Sequence, residues 1–164
     1  MASAGSVSTL EPESLRGALS RFATGIAVIT AQPVDGPAIG ITVNSFNSVS
    51  LNPPLVLWSL SRSSPSLEPL RRASGFVVNI LSSAQQDLVR RFASTADDKF
   101  ADVGCISRGE SGPILAGTVA HFECTHHAEY DGGDHVIFVG RVGAFSARAG
   151  EPLVYCLGRL GTVG

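Results

Sequence analysis

Apolar residues in this 164-residue chain come in short runs, set off by eighteen glycines and nine prolines. That punctuation leaves room for strands of five or six residues and few long helices, which is the rhythm of an all-β or α+β protein. Ile26 to Thr30, Leu55 to Leu60, Phe76 to Leu81 and Leu153 to Leu157 are the clearest runs and are read as strands. A second strand from Ala38 to about Phe46 follows the turn residues Val34-Asp35-Gly36-Pro37 and makes a hairpin with the first. The continuous Leu55–Leu60 run is expected in the middle of a sheet, covered on both faces. Two longer strands, about 117–130 and 134–146, are joined at Asp131-Gly132-Gly133.

Helices are fewer. Pro12 sits well in a first turn, and Leu15, Ala18, Leu19 and Phe22 then recur on one face. Ser64 is expected to cap a short helix with Pro65 at its first position, and Ser82 or Ser83 to cap another through Leu88, Val89 and Phe92. Residues 94–113 hold few periodic apolar positions and are read as a long excursion. The count is six or seven strands and two or three helices, not alternating, so a doubly wound parallel sheet is disfavoured. The expected fold is mainly β: a closed antiparallel barrel with peripheral helices. Residues 1–9 are read as a flexible tail and 10–164 as one domain.

Composition removes several function classes. Charged residues make up 16% and apolar residues 44%, with a net charge of −2. Disorder is excluded as the global reading, and the low charge points to surface buried against a second subunit. Eleven of the twelve cations are arginines, with Lys99 the exception, and they form no basic stripe, so no nucleic-acid partner is expected. No apolar run has the length of a membrane span, and the start of the chain lacks the pattern of a signal peptide. Cys105, Cys124 and Cys156 are odd in number and widely spaced, which fits buried free thiols in a reduced, cytoplasmic compartment. His126 and His127 point to opposite faces of a strand, and His127 with Glu129 is only a two-residue signal, so no metal is expected.

Two polar segments stand out. From Gly40 to Pro54, small hydroxyl and amide side chains fill nearly every second position, with Thr42 and Asn44 on one face and Val43 and Ser45 on the other. Such an uncharged strand end suits a planar heterocycle rich in acceptors; composition alone favours the plainer reading of an edge strand with solvated hydroxyls. From Ser59 to Ser66, hydroxyls and Arg62 stand before a helix start, a phosphate-binding combination or simply a serine-rich cap. Asp134-His135 is the one local acid–imidazole pair. No dinucleotide fingerprint, P-loop or nucleophile elbow is present.

With their neighbours, these segments resemble the flavin reductase family that supplies reduced flavin to two-component monooxygenases. The matching stretches are Arg21-Phe22-Ala23-Thr24-Gly25, Gly40 to Pro54, Phe76 to Leu81, Gln85 to Ala93, Gly112-Pro113, Gly133-Asp134-His135 with Gly140-Arg141-Val142, and Gly150 to Tyr155. The resemblance implies an FMN-binding split β-barrel, a homodimer, and hydride transfer from NADH or NADPH to FMN or FAD. The reduced flavin then passes to a separate oxygenase. It implies that Thr42, Val43, Asn44 and Ser45, with Ser48 and Val49, line the flavin, and that Ser59, Ser61 and Ser64 approach its ribityl and phosphate end. Arg91 and Phe92 would assist there, Phe100 would lie in a loop closing over the flavin, and His135 would stand near the nicotinamide. The glycine-rich tail after Tyr155 departs from the family pattern. Two rival functions are a split-barrel flavoprotein that retains its flavin as a small-molecule oxidoreductase, and a non-catalytic flavin- or haem-binding module.

Overall fold

The computed structural model describes residues 10–163, so the expected tail at 1–9 lies outside the described residues. The chain runs through helix α1 (Pro12–Leu19), strands β1 (Thr24–Gly25), β2 (Ala27–Ala31), β3 (Ile39–Val43), β4 (Asn47–Leu51) and β5 (Pro54–Ser61), and helix α2 (Leu67–Arg71). It continues with β6 (Gly75–Ile80), α3 (Gln86–Ala93), β7 (Cys105–Gly109), β8 (Gly112–Leu115), β9 (Ala120–Gly132), β10 (His135–Ala147), β11 (Val154–Cys156) and β12 (Arg159–Gly161).

Seven strands form the main sheet in the order β3-β2-β6-β9-β10-β5-β4, and every pairing is antiparallel. The two edge strands, β3 and β4, are consecutive in the chain. Only Asn44-Ser45-Phe46 separates them, a reach of at most about 14 Å between the last residue of one and the first of the other. The sheet must therefore roll up until its edges nearly meet. Closure is incomplete, because no ladder joins β3 to β4 among the described residues. The barrel is split along this seam.

Burial explains which runs are continuous. Every residue of β2 is buried, as are Gly75 to Asn79 of β6. Ala27, Ile29, Phe76 and Val78 face the barrel interior with Trp58 and Phe138. Ile26, Val28 and Leu81 face outward against Leu88 and Phe92 of α3, Leu115 of β8 and Leu153. Asn79, fully buried, fixes this outer layer: its amide nitrogen donates to Val28 O and Thr30 Oγ1, and its oxygen accepts from Leu115 N. The β5 run is different. It lies one strand from an edge, and only Val56, Trp58 and Leu60 are buried, while Leu55, Leu57, Ser59 and Ser61 are half-covered on the other face.

Other expectations shift. The strand expected from 38 to 46 stops at Val43, and the chain turns before β4. Half of the 94–113 excursion is a β7–β8 hairpin, and the glycine-rich tail forms β12 against β11. α2 starts at Leu67 with Ser66 at its cap, two residues later than Ser64. α1 forms with Pro12 in its first turn, yet none of its residues is buried and Phe22 is 75% exposed. The three cysteines are free, and Cys124 alone is buried, its thiol pushed up to about 12 chiefly by desolvation.

Candidate functional site: the barrel seam and the hairpin tip

The free edge of β3 faces a cleft of about 490 Å³, lined by residues 37–42, Ser64 to Ser66, Pro69, Phe92 and the 93–100 loop. Its floor depends on a missing side chain. A Cβ on Gly40 would lie 2.3 Å from the Phe92 ring, so only glycine lets this ring pack so close to the strand. Phe100 meets Phe92 edge to face, with centroids 5.1 Å apart. Lys99 ties the loop down: its Nζ donates to Gly40 O at 3.2 Å and Phe92 O at 3.1 Å. Burial lowers the pKa of this ammonium. Thr42 Oγ1 donates to Val89 O of α3 at 2.9 Å, holding strand to helix.

Thr42 also borders a second cleft of about 690 Å³, with Val43, Asn44, Gln86, Val89, Arg90, Tyr155, Arg159 and others. Its far wall is the β11–β12 hairpin, which turns at Leu157 and Gly158, both at positive φ. The glycine-rich tail thus lines a cleft.

The remaining hydroxyls lie on the outer face of the sheet. The last β4–β5 rung on this side is Asn47↔Leu57. Two residues further on, a side chain replaces the ladder: Ser45 Oγ accepts from Ser59 N at 3.0 Å and donates to Ser59 O at 3.3 Å. Ser61 pairs across the sheet with His135. Ser45, Ser59, Ser61 and His135 therefore share one face near one end of the barrel.

His135 opens β10 immediately after the turn. The ladder pairs His135 with Gly132, so the loop is Gly133-Asp134 where Asp131-Gly132-Gly133 was expected, and β10 begins one residue later than expected. Gly133 has φ +76°, as the first loop position of a tight hairpin of this kind requires. Because Asp134 is in the turn rather than on a strand, it does not point away from its neighbour: Asp134 Oδ1 lies 2.7 Å from His135 Nδ1. The hydrogen bond from His135, and then its charge, hold the Asp134 carboxyl below the usual range. Asp131 is likewise lowered, first by the Arg62 guanidinium and then by the Gly133 N–H.

The residues expected to form a site thus divide. Thr42, Ser64, Phe92 and Phe100 line the seam cleft, and Thr42, Val43 and Asn44 border the second. Ser48 and Val49 lie on edge strand β4 and line neither. Arg91 is turned away: its Nη1 donates to Ala101 O, and it borders a smaller hollow with Asp87 and Asp102. The 100° step of a helix explains this, since Gln86 and Arg90, four apart, share the second cleft while Arg91 shares Asp87's side. Arg62 does not join the serines of the expected phosphate site but reaches the hairpin tip, 2.7 Å from Asp131. With α2 starting late and spanning five residues, that phosphate platform is not assembled. Lys99 lies in the Asp98-Lys99-Phe100 loop that the resemblance expects to close over the flavin. Arg90, Tyr155 and Arg159 were not singled out by the sequence as site residues; the helical spacing from Leu88 and Phe92, both buried, was the available signal for Arg90. His126 has a structural setting, with Nε2 on Leu70 O and its ring against Phe76 and Phe138. Among the described residues no three His, Cys, Asp or Glu side chains gather in a metal-binding group, and no helix is long and apolar enough to cross a membrane.

A rolled antiparallel sheet with a hydroxyl-lined seam and outer helices is a split β-barrel, the fold of flavin reductases of known structure. The NADH:FAD oxidoreductase SgcE6 of Streptomyces globisporus, solved with NAD and FAD fragments, superposes with a TM-score of 0.89 at 37% identity, covering 96% of both chains. The model of the flavin reductase like domain matches residues 19–164. The chain belongs to the flavin reductase family. It is 44% identical to the FMN reductase (NADH) SmoA of Agrobacterium fabrum over 148 residues, 90% of this chain and 84% of SmoA. It is 37% identical to HsaB of Rhodococcus jostii, the reductase subunit of a flavin-dependent monooxygenase, over 92% of this chain and 77% of HsaB. Relatives differ in length: the chain spans 48% of a probable flavin reductase of Rhizobium meliloti to which it is 42% identical.

Proposed function

We propose that this chain takes hydride from NADH or NADPH, reduces FMN or FAD in the seam cleft, and releases the reduced flavin to a separate oxygenase component. The observation that carries this reading is the make-up of the cleft: an unpaired strand edge, hydroxyls and two phenyl rings, with Lys99, the one cation among the described lining residues, already engaged by two carbonyls. A flat heterocycle needs an apolar bed and a few polar groups at its rim, and a cleft of several hundred Å³ has the size for one. The residues present fit. Phe92 and Phe100 form the bed, while Thr42, Ser64 and the free edge of β3 face the polar rim. Arg90 and Arg159, across Thr42 in the second cleft, are the cations suited to the phosphate end. Neutral contacts to the ring favour release, which a carrier of reduced flavin requires.

The flavin, when bound, supplies the hydride acceptor. The chain binds, orients and excludes water. Asp134 holds His135 through Nδ1, which leaves Nε2 as the ring atom free to meet the nicotinamide carboxamide. SmoA's name pairs FMN with NADH and SgcE6's pairs FAD with NADH, which supports a nicotinamide donor and leaves both flavins as substrates. HsaB's name supports an oxygenase partner. The working form is a homodimer, a reading supported by edge strand β4, whose Leu51 is 93% exposed and Val49 half-exposed. The free thiols support a reduced, cytoplasmic setting.

Steady-state oxidation of NADH and of NADPH, each with added FMN and FAD, tests the reading. Multiple turnovers with at least one pair are expected, from protein that purifies with little flavin. Folded protein that binds flavin yet turns over none of the four pairs is instead a binding module. Sedimentation at micromolar concentration should give a dimer; a fully active monomer contradicts that part.

A further inference from the structure

We propose that Arg62 is a positioning residue that fixes His135 by locking the β9–β10 turn. The inference rests on the proposed role of His135. Arg62 follows Ser61, the last residue of β5, and touches the turn at three points. Its backbone N–H donates to Asp134 O at 2.9 Å. Its Nε donates to Gly133 O at 2.8 Å and its Nη2 to Asp131 Oδ1 at 2.7 Å. Asp131 Oδ1 in turn accepts from Gly133 N at 3.0 Å, which closes the network on itself. One guanidinium fork thus spans the outgoing arm and the apex, and its backbone holds the residue whose carboxylate grips His135.

Stability does not explain the arrangement. The Arg62 side chain is 45% exposed and Asp131 78%, and exposed pairs of this kind contribute little to folding. Geometry does. The ladders hold His135 itself between Gly132 and Ser61, but the two loop residues Gly133 and Asp134 lie beyond them and have no rung of their own. Fixing Gly133 and Asp134 from a third strand supplies that missing hold, and removes the freedom of Asp134 to release Nδ1. A planar fork presents its two donors in a fixed geometry and can do this, whereas a lysine ammonium is a compact charge on a flexible stem and fixes no such angle.

The test uses Arg62→Met and Arg62→Lys in the full-length chain, read in two ways. In ¹⁵N-histidine NMR, with His135 assigned through His135→Asn, the Nδ1 signal in Arg62→Met should move from a hydrogen-bonded Nδ1–H toward a tautomer mixture, with Arg62→Lys in between. In kinetics, Arg62→Met should lower kcat/KM for NADH about tenfold, as a small misplacement of a reacting partner does, with flavin Kd within twofold. In a His135→Ala background the same substitution should have no further effect. An unchanged Nδ1 signal overturns the proposal, as does an equal loss of rate with and without the imidazole. If His135→Ala itself leaves NADH kinetics unchanged, the role given to His135 fails; the NMR comparison still decides whether Arg62 fixes the ring.

Discussion

The seam cleft and the hairpin tip lie on one barrel and are built from opposite materials. The cleft is assembled by packing and backbone: Phe92 under Gly40, Thr42 on Val89 O, Lys99 on two carbonyls. The tip is assembled by charge, with Arg62 on Asp131 and Asp134 on His135. Packing in a largely covered site is insensitive to salt and intolerant of added or removed volume. Exposed ion pairs behave in reverse: they tolerate changes of volume and respond to pH and ionic strength. Under the proposed function, the rigid region binds the flat ring and the electrostatic one aligns a transient partner.

The contrast breaks most visibly at Phe92. Phe92→Ala removes a ring that is 1% exposed and shared by the outer core and the cleft, and should cost about 3–5 kcal/mol, read from the denaturant midpoint. Flavin affinity should fall with it, and a stable variant with native affinity would show that the ring is not the bed of the site. Gly40→Ala should cost less, about 1–3 kcal/mol, because overpacking can be relieved in part by movement of the ring. Adding Phe92→Leu should recover some of that loss, measured by the same midpoint; no recovery means that the clash lies elsewhere.

The smallest effect is expected at the tip. Asp131 and Asp134 titrate below the usual carboxylate range, by hydrogen bonds and charge from Arg62 and His135 respectively. Their contribution is therefore fully present above the unfolded carboxylate value of about 4 and is lost as pH falls through the lowered folded values. Protection of Gly133 and Asp134 from hydrogen exchange, taken relative to the intrinsic rate at each pH, should fall under acid, and with added salt at neutral pH, before protection at Thr42 does. Simultaneous loosening of both regions would erase the distinction.

How much of this was legible follows the same divide. β2 and β6 were readable because both of their faces are buried, which leaves continuous apolar runs. The β5 run has the same appearance but a different cause, since Leu55 and Leu57 line a half-covered outer face. β7 and β12 carry too few apolar residues to announce themselves: Ile106 is 67% exposed and β12 reads Arg-Leu-Gly. The hydroxyl-rich Gly40–Pro54 segment, readable as an edge strand, supplies both edges of the sheet, and its Thr42 lines the seam cleft. Side-chain direction was not legible. Arg90 and Arg91 differ by one helical step and face different hollows. Arg62 looked like part of a phosphate cradle and serves the turn, because its acceptors lie about seventy residues away in sequence. The Asp134–His135 contact depended on β10 starting at His135 rather than Asp134, a one-residue difference that only the ladder register defines.

The central claim is the division of labour between cleft and tip, and His135→Ala tests it most directly. Flavin Kd is measured by fluorescence quenching, and kcat/KM for NADH at saturating flavin, on the same preparation. The account predicts a ten- to hundredfold loss in kcat/KM, about 1.4–2.8 kcal/mol of transition-state stabilisation, with flavin Kd within a few-fold of the parent. Weakened flavin binding with unchanged NADH kinetics would contradict it.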